Sequence, residues 1–198
     1  RYSISDESIR AFISKLNCIE GLDIKIGGPI IELNHQDYKG KRVTITITDE
    51  HANSLSLKVD IGVHKDLDIE QDEYSFDIGF QEDAVSLLIN SPAQMITEKL
   101  KSLLRFGTRS TRYRDVFDIC YLSERADKEM LLYCMEKYIF EDNTLSVNNM
   151  ADVTLRLEQV FDSKSFVQSV SRSRRNWLDV PAEEVLASDL EFFRSLSE

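Results

Sequence analysis

Three side chains mark where this chain could do chemistry: Lys99, Asp115 and Asp118. They lie in the stretch 91–122, SPAQMITEKLKSLLRFGTRSTRYRDVFDICYL, which reads as two helices joined by an arginine-rich turn. Ser91 is a candidate N-cap, and Pro92 suits the first helical position. At about 100° per residue, Ile96, Leu100, Leu103 and Leu104 form one apolar stripe, and Lys99 falls at its edge rather than on the wet face. The second helix runs from about Arg112 to Leu122. Asp115 and Asp118 are one turn apart there and share a face with Ile119 and Leu122. An unpaired charge is costly to bury, so these groups must meet each other, an arginine or a ligand. The pattern alone leans slightly toward an internal Lys–Asp ion pair that ties two helices together.

A further acid stands on a strand. In SLSLKVDIGVH (54–64), Leu55, Leu57, Val59, Ile61 and Val63 point one way, and Lys58, Asp60, Gly62 and His64 the other. A lysine two residues before an aspartate on one face can serve a site. It can equally be a solvated stripe, which the pattern by itself favours. Basic charge collects in two places: Arg105, Arg109, Arg112 and Arg114 around the turn, and Arg172, Arg174 and Arg175 just before Trp177. Guanidinium forks suit phosphate oxygens. They can also neutralise neighbouring acids, and the second cluster is expected in the last turn of a helix, where cations suit the dipole.

Positioning these groups needs a sheet and a set of helices. Residues 4–17 read as a helix with Ile9, Phe12, Ile13 and Leu16 as its apolar stripe. Strand-like segments follow at 22–26, 29–33, 42–50, 54–64 and 74–80, separated by short polar turns. After residue 91 the period changes from 2 to 3.6, with helices expected over 127–140, 150–161, 162–175 and from Pro181 onward. The fold class is α+β: an N-terminal mixed or antiparallel sheet with a flanking helix, then a C-terminal helical bundle. The expected division is 1–90 and 91–198.

Composition narrows the functional classes. The chain has 198 residues, is 42% hydrophobic and 30% charged, and carries a net charge of −11. That charge argues against a general nucleic-acid coat protein and against binding an anionic membrane surface. No apolar run approaches the ~20 residues of a membrane span, and no signal peptide is visible at the start. Cys18, Cys120 and Cys134 form no metal-ligand spacing, and His35, His51 and His64 make no zinc motif. Buried thiols in a reducing cytoplasm are the expectation.

TEKL at 97–100, an arginine-rich gap, and RDVFDI at 114–119 together resemble the signature of the AbiEii-like nucleotidyltransferases. These are toxins of type IV toxin–antitoxin and abortive-infection systems with a DNA polymerase β-like fold. LKVDI (57–61) falls where that family carries a carboxylate strand. The resemblance extends over roughly 40–125, and more loosely to the C-terminus through RNWLDVP (175–181). It implies a transfer of a nucleotide from an NTP to an acceptor such as an RNA (tRNA) or a protein, with Mg2+ (or Mn2+) and a cognate antitoxin as partner. Asp60 would be the site's third carboxylate, near the metal ions or accepting a proton from the attacking hydroxyl. Lys99 would contact the phosphates, and Asp118 or Asp115 would hold that lysine or the nucleotide. Arg105, Arg109 and Arg112 would steady the triphosphate.

One departure matters. The family's first motif, a Gly-Ser or Gly-Gly turn followed by paired acids, should precede the carboxylate strand. Gly27-Gly28-Pro29 has no suitably spaced acidic pair after it, and Asp66 and Asp68 come after Asp60. The motif is expected upstream of Arg1, or lost in a degenerate homologue. These 198 residues alone are therefore expected to be poorly active or inactive. The alternative expectation is a catalytically inactive nucleotidyltransferase fold that binds or regulates.

Overall fold

The computed structural model describes residues 5–17, 19–33, 40–62, 69, 71–77 and 85–196. Cys18, His35, Val63, His64, Asp66 and Asp68 lie outside the described residues, as does the end of the strand expected over 74–80. The chain divides into two compact units, Arg1–Asp68 and Ile69–Glu198.

In the first unit, the Ser5 hydroxyl accepts the Ser8 N–H at 3.2 Å and starts helix α1, Asp6–Lys15. Asp6 and Glu7 sit in its first turn, where negative charge suits the helix dipole. Ile9 and Ile13 are buried as the period requires, but Phe12 is 56% exposed, because the covered stripe is narrower than the pattern suggested. Among the described residues four strands follow: β1 (Leu22–Ile26), β2 (Ile31–Leu33), β3 (Gly40–Asp49) and β4 (Ser54–Ile61). All pairings are antiparallel, and β3 is central. β4 runs along one edge of β3, while β1 and β2 share the other, pairing with its far and near halves. Val43 and Ile45 of β3 join Ile9, Ile13 and Ile24 in the core. On β4, Leu57, Val59 and Ile61 are half-buried and Lys58 and Asp60 are exposed, so the alternation was read in the right phase.

The second unit begins with an antiparallel hairpin, β5 (Asp72–Phe76) and β6 (Val85–Ile89). Among the described residues six α-helices follow: α2 (Pro92–Phe106), α3 (Tyr113–Ser123), α4 (Lys128–Met135), α5 (Met150–Phe161), α6 (Lys164–Ser171) and α7 (Ala182–Ser195). A π-helical turn over Glu136–Phe140 extends α4. Asp127 caps α4 by accepting the Met130 N–H at 2.8 Å, and Asn149 caps α5 through the Asp152 N–H at 2.9 Å. Ile96, Leu100, Phe117, Ile119, Leu157 and Phe193 are fully enclosed in one core. The α+β class, with antiparallel strands first and helices after, is as expected from the change of period.

Two local expectations need correction. The helix expected over 162–175 begins later, at Lys164, because Asp162 is the C-cap of α5 and Ser163 precedes α6. α6 stops at Ser171 with Arg172 as its C-cap, so Arg174 and Arg175 lie past the helix and not in its last turn. No helix among the described residues is long and apolar enough to cross a membrane.

Candidate active site

Lys99 projects from α2 beside the buried stripe of Ile96, Leu100 and Leu103. The helix that orients it is fixed at both ends. Ser91 Oγ accepts the Gln94 N–H at 3.2 Å, and Gly107 ends the run with φ 53°, a conformation that favours glycine. Opposite, α3 presents Asp115 in its first turn and Asp118 one turn later. Packing Ile119, Val116 and Phe117 into the core forces this carboxylate face toward α2.

The Lys99 ammonium donates to Asp118 Oδ2 at 2.8 Å and to Asp115 Oδ1 at 3.4 Å. The side chains of Lys99, Asp115 and Asp118 are 21%, 9% and 14% exposed, so the cluster is shielded and still reached by solvent. Asp118 is the nearer acid and Asp115 the more enclosed one. Arg112 Nε lies 2.6 Å from Asp115 Oδ2, a charge contact whose angle falls short of a hydrogen bond. Arg112 Nη2 reaches Asp115 Oδ1 at 3.4 Å, and Arg114 Nε lies 3.5 Å from Asp118 Oδ1. Three cations (Lys99, Arg112, Arg114) against two carboxylates (Asp115, Asp118) leave one net positive charge. An ammonium has three donors, and the two carboxylates accept two of them. Among the described residues, one ammonium donor and one net positive charge are left over in this cluster.

One contact has no local signal in the sequence, although Trp177 lies in the RNWLDVP stretch at the looser end of the resemblance. The Trp177 indole N–H donates to Asp118 Oδ1 at 2.9 Å, across 59 positions of chain. The loop that carries it is braced by Asn176, which accepts the Leu178 N–H at 3.2 Å and donates to the Val180 carbonyl at 2.8 Å.

The remaining expected site residues are placed elsewhere. Arg105 Nη2 reaches Asp142 at 3.3 Å, beside Lys101, which contacts the same carboxylate at 2.7 Å. The Lys101 hydrogen bond, with that of Thr144, holds the Asp142 carboxyl well below the usual range. Arg105 also borders an open groove of about 390 Å³ with Thr108, Arg156 and Gln159. Arg109 is exposed and has no ion pair among the described residues. In the first unit, Asp60 faces Arg42 across the β3–β4 pairing. Arg42 Nε and Nη2 donate to its two oxygens at 2.6 and 2.8 Å. These hydrogen bonds lower the Asp60 pKa below its ordinary value.

A metal centre is tested by its donors. Asp60 is a single carboxylate already forked by a guanidinium, and no group of three His, Cys, Asp or Glu among the described residues could hold an ion. The described residues do not by themselves fit a divalent cation.

A family model of the nucleotidyl transferase class matches this α+β chain almost end to end. The matched residues are 4–189, and the model is that of the nucleotidyl transferase AbiEii toxin of type IV toxin–antitoxin systems; the chain belongs to this family. No curated protein and no solved structure matches the chain.

Proposed function

We propose that the chain supplies the phosphate-binding helices of a toxin, one half of a toxin–antitoxin pair, that moves a nucleotide from an NTP to an RNA or protein acceptor. The observation that carries this reading is the clasped Lys99. Its ammonium is oriented by Asp118 and Asp115 and keeps one donor free in a cluster of net positive charge. In the proposed mechanism Lys99 binds phosphate oxygens, and Asp118 fixes the lysine's direction. Arg112 and Arg114 balance the carboxylates, so the ammonium's charge stays available for phosphate. Cations fixed where charge develops lower the barrier to phosphoryl chemistry without reorganising at the moment of reaction. Dependence on Mg2+ or Mn2+ is part of the proposal, as is neutralisation by a cognate antitoxin.

Binding tests it most directly. Equilibrium dialysis with labelled NTP should show saturable binding to the chain, lost in Lys99→Ala and Asp118→Ala variants that still melt cooperatively. Cooperative melting without NTP binding by the parent chain would leave Lys99 as a structural tie and overturn the proposal. Incorporation of label into total RNA or protein then identifies the acceptor.

A further inference from the structure

The two oxygens of Asp118 serve different partners. Oδ2 takes the Lys99 ammonium, and Oδ1 takes the indole N–H of Trp177. A ring and a cation are thus held on one carboxylate. Trp177 remains 44% exposed, although its large apolar surface would ordinarily be covered. It is not loose: the Asn176 bonds brace its loop, and its ring meets Tyr121 edge-on, with centroids 5.0 Å apart and planes at 63°. Tyr121 is itself 40% exposed and carries the Arg125 guanidinium over its ring at 3.9 Å. Immediately before Trp177, Arg172, Arg174 and Arg175 are exposed and have no ion pair among the described residues.

We infer that Trp177, supported by Tyr121, is a stacking platform for a nucleobase whose phosphates are held at Lys99. This inference rests on the proposed function and extends it to the base. A fixed, solvent-facing indole beside a phosphate-binding cation matches the two ends of a nucleotide: a flat π surface and an anion. Indole offers the largest aromatic face among side chains and stacks every base, so the platform tolerates sequence. The free arginines ahead of it draw a polyanion toward that ring. The stacked base comes either from the incoming NTP or from the exposed end of an RNA acceptor.

Trp177 is the single tryptophan of the chain, so its emission reports this position alone. The full chain is titrated with each of the four NTPs, with inorganic tripolyphosphate, and with a short RNA oligonucleotide lacking a triphosphate. Binding is measured in parallel by dialysis. Saturable quenching by NTP, and much weaker quenching by bound tripolyphosphate, assigns the stacked base to the nucleotide. Quenching by the oligonucleotide and not by NTPs assigns it to the acceptor. Trp177→Ala should weaken binding of the quenching ligand about tenfold, the scale of one base stack. Trp177→Phe keeps a stacking ring, drops the N–H, and should bind nearly as the parent does. NTP bound in dialysis while neither NTP nor oligonucleotide changes the emission would overturn the platform and leave the proposed function standing. Equal quenching by tripolyphosphate, or equal losses in the Phe and Ala variants, would show that Trp177 only positions Asp118. Absence of any binding would remove both readings.

Discussion

Asp118 joins Lys99 of α2 at 2.8 Å and thereby closes the α2–α3 packing with a charge pair at the edge of the core. The two side chains are mostly shielded, so each depends on the other for solvation. Lys99→Met should cost about 1–3 kcal/mol in urea unfolding, below the figure for a fully buried pair because water still reaches the cluster. Asp118→Asn should cost less, since an amide oxygen can still accept from Trp177. Unchanged midpoints in both variants would show that the pair is not a structural tie.

The exposed Arg42–Asp60 pair should behave differently. Both side chains are about two-fifths exposed, so Asp60→Asn and Arg42→Ala should leave the thermal midpoint nearly unchanged. Differential scanning calorimetry checks this, and a clearly lowered midpoint in either variant would show that the pair carries more stability than an exposed ion pair should.

Asp189 of α7 is 1% exposed, and neither carboxylate oxygen has a hydrogen-bond partner among the described residues. Burial pushes its pKa well above the ordinary 3.8. Between those two values the folded state holds a proton that the unfolded state has released, so stability falls as pH rises through that window. Asp189→Asn removes this dependence. Relative to the parent it should gain stability as pH rises above the ordinary carboxylate range, which urea unfolding across pH measures. Parallel stability–pH curves for the two proteins would contradict the assignment.

Burial also pushes the Cys134 thiol up to about 11. At pH 8 only about one molecule in a thousand carries its thiolate. Alkylation followed by mass spectrometry should leave Cys134 unmodified in the folded chain and label it in urea.

Phe117 is fully enclosed in the helical core. Phe117→Ala should destabilise the second unit by about 3–5 kcal/mol. A urea transition that moves by much less would mean the cavity collapses.

Much of this was legible because helical and strand periods are local. Ser91, Pro92 and the Ile96–Leu100–Leu103 stripe define α2 from sequence alone, and the alternation of 54–61 placed Asp60 on the exposed face of β4. The hairpin strand β6 was not, because VSLLI has no alternation and its neighbour in the sheet lies earlier in the chain. The arginine cluster was seen as one group, yet its members diverge. Arg112 turns to Asp115, Arg105 to Asp142, and Arg109 to neither. Each follows the helix face it occupies, and a face acquires a partner only when helices pack.

The sequence by itself determined that a lysine and two aspartates sit on adjoining helices, and it carried the resemblance that the family match over 4–189 bears out. Tertiary structure alone decided that Asp118 rather than Asp115 lies nearer Lys99, and that Trp177 reaches Asp118's other oxygen. The reason is range. Periodicity fixes the direction of a side chain within one helix, whereas a hydrogen bond across 59 positions exists only after the core has set the helices against each other.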